Sequence, residues 1–431
     1  MKYFTKKRLA FANLFFVSFV SRIAHKLHLA MTNRLSKSGI IYITALLTLF
    51  WSCNTIDPIP EENTYLVSTE LINSYTAKQY KELIDGSLGS QIGGLSISSF
   101  IQSGIDQIRV VYNTQDLEGN DILASGALIL PNSLPESTFA LGSVQHGTIF
   151  DEADAPSYFG VNLEASLGGV LASTGMIIVL PDYLGYGASK NIAHPYEHKE
   201  GSAEPNIDFL RAVKEYIEQE NIKFNGKLLL AGYSQGGYTT MAMHKAIQEE
   251  NDDEFNVVVS SLGAGAYNKT ASVLDIVSRD SNGDPAHNSS YIWVLQTYNN
   301  LEGLNRSVSD YFIEPFASQI EQSGERTRVT QSFRSILQPD FITGIINKTD
   351  TEFLEAVAKN DVFDWKPTAP VSLYHGTADQ YVPFLNSQTT FDAMKKRNAP
   401  NITLIPVEGG THSSTLTAYF LGTFQLFSSY R

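Results

Sequence analysis

The stretch LLLAGYSQGGYTT, Leu228 to Thr240, sets a serine between glycines at the end of an apolar run. A serine hydroxyl is a poor nucleophile at neutral pH. It attacks a carbonyl only with an aligned base, an acid that fixes the base's tautomer, and N–H donors for the oxyanion. Gly232-Tyr233-Ser234-Gln235-Gly236 suits a sharp strand-to-helix turn, because glycines on both sides permit a strained backbone and close approach of neighbours. The apolar run Leu228–Leu230 ahead and the helical period of GYTTMAMHKAIQEE behind favour a nucleophile over an ordinary turn serine.

The partners are sought at later strand ends. SLYHGTADQYVP supplies a strand, a glycine turn and Asp379, the expected acid, against the plainer reading of an aspartate that bonds only its own turn. IPVEGGTHSS places His412 in a glycine loop just past the next strand, the expected base, against a lone surface histidine. The oxyanion donors are expected at the backbone amides of Gln235, after the serine, and Thr148, at the end of the strand in SVQHGT; His146 reads as shaping that loop. Asp182 in PDYLGYG reads as a structural loop residue. His194 and His198 in HPYEH lack the cysteine or carboxylate spacing that would complete a metal site, so neither metal nor cofactor is expected. RDSNGD misplaces its glycine for a calcium loop.

These residues require strands that end on one side. IDQIRVVYNTQ, DLEGN and DILASGALILP read as strand, turn and strand. From Leu141 onward short apolar runs (ALGSVQ, GMIIVLP, KLLLAG, NVVVSSL, PVSLYHG, ITLIPV) alternate with helical periods such as NIDFLRAVKEYIEQENI. Near-continuous apolar strands separated by helices predict an α/β fold, a mostly parallel sheet covered on both faces, with ligands at the carboxyl ends of its strands. About residues 269–366 carry no strong strand but many aromatics, and read as a mostly helical insertion.

The ends of the chain differ in character. Residues 1–52 hold eight Lys or Arg and no Asp or Glu, whereas the remainder holds 23 basic against 45 acidic residues. That acidic balance argues against nucleic acid as a partner. Met31 opens a basic segment, then an apolar run from Ile40 to Trp51, the layout of an export signal, with Met31 as a candidate start of translation. Cys53, the only cysteine, follows Trp51-Ser52 where a bacterial lipoprotein signal would be cut, which predicts a lipid anchor to a membrane of the cell envelope, the alternative being simple secretion. Residues 53–65 read as a tether and residues 66–431 as the folded domain.

Taken in order, HGT, PDYLGYG, GYSQGG, HGTADQYVP and GGTHSS resemble an α/β-hydrolase of the secretory lipase and related bacterial esterase branch, over roughly Ile105 to His412. The resemblance implies an eight-stranded sheet, a Ser-Asp-His triad on Ser234, Asp379 and His412, and a helical cap inserted before the acid strand. Gln235 stands where these lipases often have glycine. The expected activity is hydrolysis of a small-molecule carboxylic ester through an acyl-enzyme. Two alternatives are a serine peptidase of prolyl-oligopeptidase type, for which too few residues precede the first core strands to hold a propeller, and a non-catalytic binding module.

Overall fold

The strand-turn-strand segment forms as its sequence requires. β1 (Leu66–Tyr75) and α1 (Ala77–Leu88) precede it, and β2 (Ile105–Gln115) and β3 (Asp121–Pro131) make the antiparallel hairpin. Its turn closes because Asp116 Oδ1 accepts the N–H groups of Glu118 and Asn120, each at 2.9 Å, while Gly119 adopts φ 83°. In this computed structural model residues 63–88, 96–134, 138–160, 163–251 and 253–431 are described. The leader, Cys53 and the tether up to residue 62 lie outside them.

After β4 (Phe139–Gln145) the expected alternation follows: α2 (Leu163–Ser173), β5 (Met176–Pro181), α3 (Lys199–Gln219), β6 (Phe224–Tyr233), α4 (Gln235–Glu250) and β7 (Asn256–Gly263). Six helices come next: α5 (Lys269–Ser278), α6 (Pro285–Leu301), α7 (Val308–Tyr311), α8 (Phe316–Ser323), α9 (Pro339–Ile346) and α10 (Thr351–Lys359). β8 (Val371–Gly376), α11 (Leu385–Lys396), β9 (Ile402–Val407) and α12 (Leu416–Tyr430) complete the domain.

The strands form one sheet in the order β1-β2-β3-β5-β4-β6-β7-β8-β9, parallel from β5 to β9. This is one strand more than the expected eight. The addition is β1, an antiparallel edge strand on β2 in which Leu66 alone is buried. It has no alternating apolar face to announce it.

Alternation along each inner strand feeds two cores. Ile177 and Val179 point to the face covered by Phe209, Leu210 and Val213 of α3 and Met243 of α4. Met176, Ile178 and Leu180 point to the face covered by Tyr80 of α1, Val170 of α2 and Phe427 of α12. All these side chains are essentially sealed from solvent, and each contributes on the order of 1.5–3 kcal/mol relative to exposure. α5 to α10 bury a third cluster of their own, including Ile292, Tyr298, Phe312 and Phe353. Val362 and Trp365, after α10, are already back among core residues such as Tyr238 and Leu373.

The register carries the functional consequence. Gln145 of β4 pairs with Gly232 of β6, Tyr233 with Gly263 of β7, Gly263 with Tyr374 of β8, and Gly376 with Val407 of β9. The loops leaving β4, β6, β8 and β9 therefore open at one rim.

Candidate active site

Ser234 stands on the turn between β6 and α4 with φ 60° and ψ −122°. A side chain rarely tolerates that backbone, and the neighbouring glycines explain how it is held. A Cβ on Gly236 would lie 2.0 Å from the Gln145 carbonyl oxygen, so this position accepts only glycine, and the end of β4 is drawn against the start of α4. The Ser234 N–H donates to the Gly263 carbonyl at 2.9 Å, tying the turn to β7 as well.

The strain yields a stability prediction. Ser234→Ala and Ser234→Gly both lose the hydroxyl, but glycine alone relaxes φ. Strain of about 1–3 kcal/mol against a glycine entropy cost of about 0.5–1 leaves the glycine variant more stable by roughly 1 kcal/mol. Urea denaturation of the two variants reads this difference directly.

The three side chains that the sequence places at separate strand ends meet. His412 Nε2 lies 2.9 Å from Ser234 Oγ, and His412 Nδ1 lies 2.7 Å from Asp379 Oδ2. A carboxylate only accepts, so Nδ1 carries the proton and Nε2 turns its lone pair to the serine hydroxyl. The second Asp379 oxygen accepts the N–H groups of Tyr381 and Val382 at 2.8 and 3.0 Å. Burial alone would raise the Asp379 carboxyl. Hydrogen bonds and charge from His375 and His412 outweigh it and hold the group well below the usual carboxylate range.

Several supports escaped sequence reasoning. His375, the last residue but one of β8, stands four residues before Asp379, and its Nε2 lies 2.8 Å from the Val382 carbonyl and 3.4 Å from Asp379 Oδ2. Tyr233, the residue before the serine, donates its hydroxyl to the His412 carbonyl at 2.6 Å. Tyr381 stacks on His287 of α6 at 4.1 Å and sets an edge against the His412 ring at 4.8 Å. Its carbonyl accepts the Tyr291 hydroxyl at 2.6 Å, and its own hydroxyl bonds Ser290, so α6 is joined to the acid loop. The aromatic two residues after the acid was the available signal. Loss of this ring lets His412 shift, and a misplacement near 1 Å costs about 100-fold. Tyr381→Ala is therefore expected to lower kcat by about 10- to 100-fold, with Tyr381→Phe close to wild type, in steady-state ester assays.

The loop residues also have defined places. Gln235 opens α4, so its backbone N–H has no acceptor within the helix. Its side-chain amide donates to His194 Nε2 at 2.7 Å, while His194 Nδ1 donates to the Leu184 carbonyl at 2.6 Å. Burial pushes His194 down to about 3, which keeps it the neutral acceptor that this amide needs. His198 faces elsewhere, accepting the Gly201 N–H at 3.3 Å and meeting Glu302 at 3.3 Å. Among the described residues no group of His, Cys, Asp or Glu is arranged to hold a metal ion.

Thr148 follows the β4 end, its hydroxyl 2.7 Å from that of Tyr196. The His146 ring stacks on Tyr183 at 4.0 Å, and the Tyr183 hydroxyl donates to the His146 carbonyl at 2.9 Å. Asp182 is fully buried, accepting the Ser125 hydroxyl at 2.6 Å and the Ser157 N–H at 2.8 Å, which pins the loop after β5.

Above Ser234 a pocket opens under α5 and α6. Val273, Ile276 and Val294 line it beside Tyr291, Phe341 and Phe353.

The secretory lipase family pattern matches residues 158–419, most of the folded domain. The chain belongs to the secretory lipase family. Membership makes it a hydrolase of the lipase and esterase kind, and the secretory character of the family accords with an exported protein. No curated protein matches the chain.

Among solved structures it is similar to a Legionella pneumophila protein provisionally assigned as a hydrolase, with TM-score 0.75 and 23% identity over 85% of this chain and 98% of that one. It is also similar to the rice cell wall degrading esterase LipA of Xanthomonas oryzae, with TM-score 0.71 and 24% identity over 86% and 97%. Candida antarctica lipase A in its closed state gives 0.58 and 15% over 84% and 83%. At these identities the likeness is one of fold, and it establishes the α/β-hydrolase architecture. No helix among the described residues is long and apolar enough to cross a membrane.

Proposed function

We propose that the protein is a serine carboxylester hydrolase acting through an acyl-enzyme on Ser234. The observation that carries this reading is the unbroken hydrogen-bonded run from Ser234 through His412 to Asp379 at the mouth of an apolar pocket. His412 takes the Ser234 proton as the oxygen attacks the ester carbonyl, and Asp379 stabilises the imidazolium that forms. The backbone N–H groups of Gln235 and Thr148 hold the oxyanion. The proton returns through His412 to the leaving alcohol, and water, activated by the same imidazole, releases the acid.

The wall chemistry favours an apolar acyl group of moderate length, since such sites draw affinity from apolar lining with a few polar contacts. Export with lipid attachment at Cys53 is the proposed setting, resting on the leader pattern. The test is hydrolysis by the purified protein of p-nitrophenyl esters of graded acyl length beside aminoacyl-anilides. Ester cleavage with an optimum in acyl length is expected; faster anilide cleavage would move the assignment to a peptidase.

A further inference from the structure

Two charged side chains interrupt the largely apolar pocket wall. Glu197 sits in the loop before α3, and Lys269 is the first residue of α5, 72 positions later. Lys269 Nζ donates to Glu197 Oε2, with the two side chains only 3% and 8% exposed. The ammonium also lies 4.3 Å from the ring centroid of Tyr238, one helical turn after Ser234. The proposed ester chemistry uses neither charge. An ion pair in a largely apolar wall recovers little of its desolvation cost.

The pair is not saturated. An ammonium has three N–H groups and a carboxylate two acceptor oxygens. Glu197 Oε2 and the Tyr238 face occupy two of the Lys269 protons, and Glu197 Oε1 accepts no hydrogen bond from the described residues. One donor and one acceptor therefore stand together on the pocket wall. A second carboxylate there would face Glu197 and also Asp361, whose charge reaches Lys269. An added cation would face Lys269. A neutral group that both donates and accepts fits.

We propose that Glu197 and Lys269 form a subsite for a hydroxyl on the acyl chain, so that the enzyme prefers esters of hydroxylated fatty acids to those of plain ones. The hydroxyl donates to Glu197 Oε1 and accepts from Lys269, whereas a methylene at that point covers both groups without replacing their water. Sites that hydrogen-bond a substrate hydroxyl discriminate strongly against its absence. Because this pair is already half satisfied internally, the expected preference is about 10- to 100-fold in kcat/KM.

The inference rests on Ser234 as the site of acyl transfer, and its test separates the two. The full-length protein is assayed on p-nitrophenyl esters of one chain length, plain or with the hydroxyl stepped from the β-carbon to the chain end. One position is expected to exceed the plain ester by the stated factor, and Glu197→Gln and Lys269→Met should each bring that ratio towards one. A ratio measured within one variant is unaffected by how much of it folds.

In a second arm, the corresponding free hydroxy acid and plain acid are titrated into Ser234→Ala by calorimetry, with tighter binding of the hydroxy acid expected. Preference in binding without any ester turnover in wild type would remove Ser234 from the mechanism and leave the subsite standing. Equal binding of the two acids, or a preference that survives both substitutions, overturns the subsite and leaves the pair as a fastening between the loop before α3 and the start of α5.

Discussion

Ser234→Ala is expected to lower turnover of p-nitrophenyl esters by about 10⁴- to 10⁶-fold while leaving the circular dichroism spectrum and thermal midpoint close to wild type. The magnitude follows from what remains. His412 and Asp379 keep their own hydrogen bond, the amide donors stay in place and the pocket still binds, but no oxygen is available to carry the acyl group. The residual rate is that of water held in a polarising site. The serine is buried and contributes little packing, so no cavity large enough to destabilise the fold is created. Turnover of the alanine variant within tenfold of wild type would remove Ser234 from the mechanism.

Asp379→Asn is expected to cost about 10⁴-fold in kcat with little change in KM. The substitution preserves shape but reverses one hydrogen bond: an amide turned towards His412 can present N–H to Nδ1, which drives the ring proton to Nε2, opposite the Ser234 hydroxyl. The base is then occupied before it is needed. His375 makes this aspartate's environment stricter, since its Nε2 faces the same oxygen that His412 uses. Steady-state kinetics with a soluble ester separate this outcome from a folding defect.

The same residue gives a pH dependence of known sign. Its folded-state pKa lies below the ordinary carboxylate value of about 3.9. A depressed carboxylate contributes stability that is fully present above the unfolded value and is lost as pH falls through the folded one. From neutral pH down to about 4, Asp379 therefore stays ionised, and acid loss of activity in that window does not come from its protonation. The gap in urea midpoint between wild type and Asp379→Asn should narrow as pH falls below about 4.

Much of the site was legible because its signals are local. The elbow around Ser234 is written as an apolar run, glycines where neighbouring backbone crowds in, and a helical period, all within a dozen or so residues. Asp379 and His412 each follow a short apolar strand and a glycine, so their positions at strand ends could be read without knowing which strands are neighbours. β1 was illegible for the opposite reason. Its residues show no alternating apolar face, and it is a strand only because its backbone completes the hydrogen bonds of β2.

The sequence by itself determined the alternation of strand and helix, the hairpin at residues 105–131, the helical interruption before β8 and the identity of the three convergent side chains, since each depends on periodicity or turn chemistry within a short window. Tertiary structure decided what surrounds them. His375 beneath the acid, Tyr381 between α6 and His412, the Gln235–His194 contact and the buried Glu197–Lys269 pair join residues through strand order and helix packing. No local pattern encodes such contacts, because a side chain's partner across a sheet rim is set by which strands lie side by side.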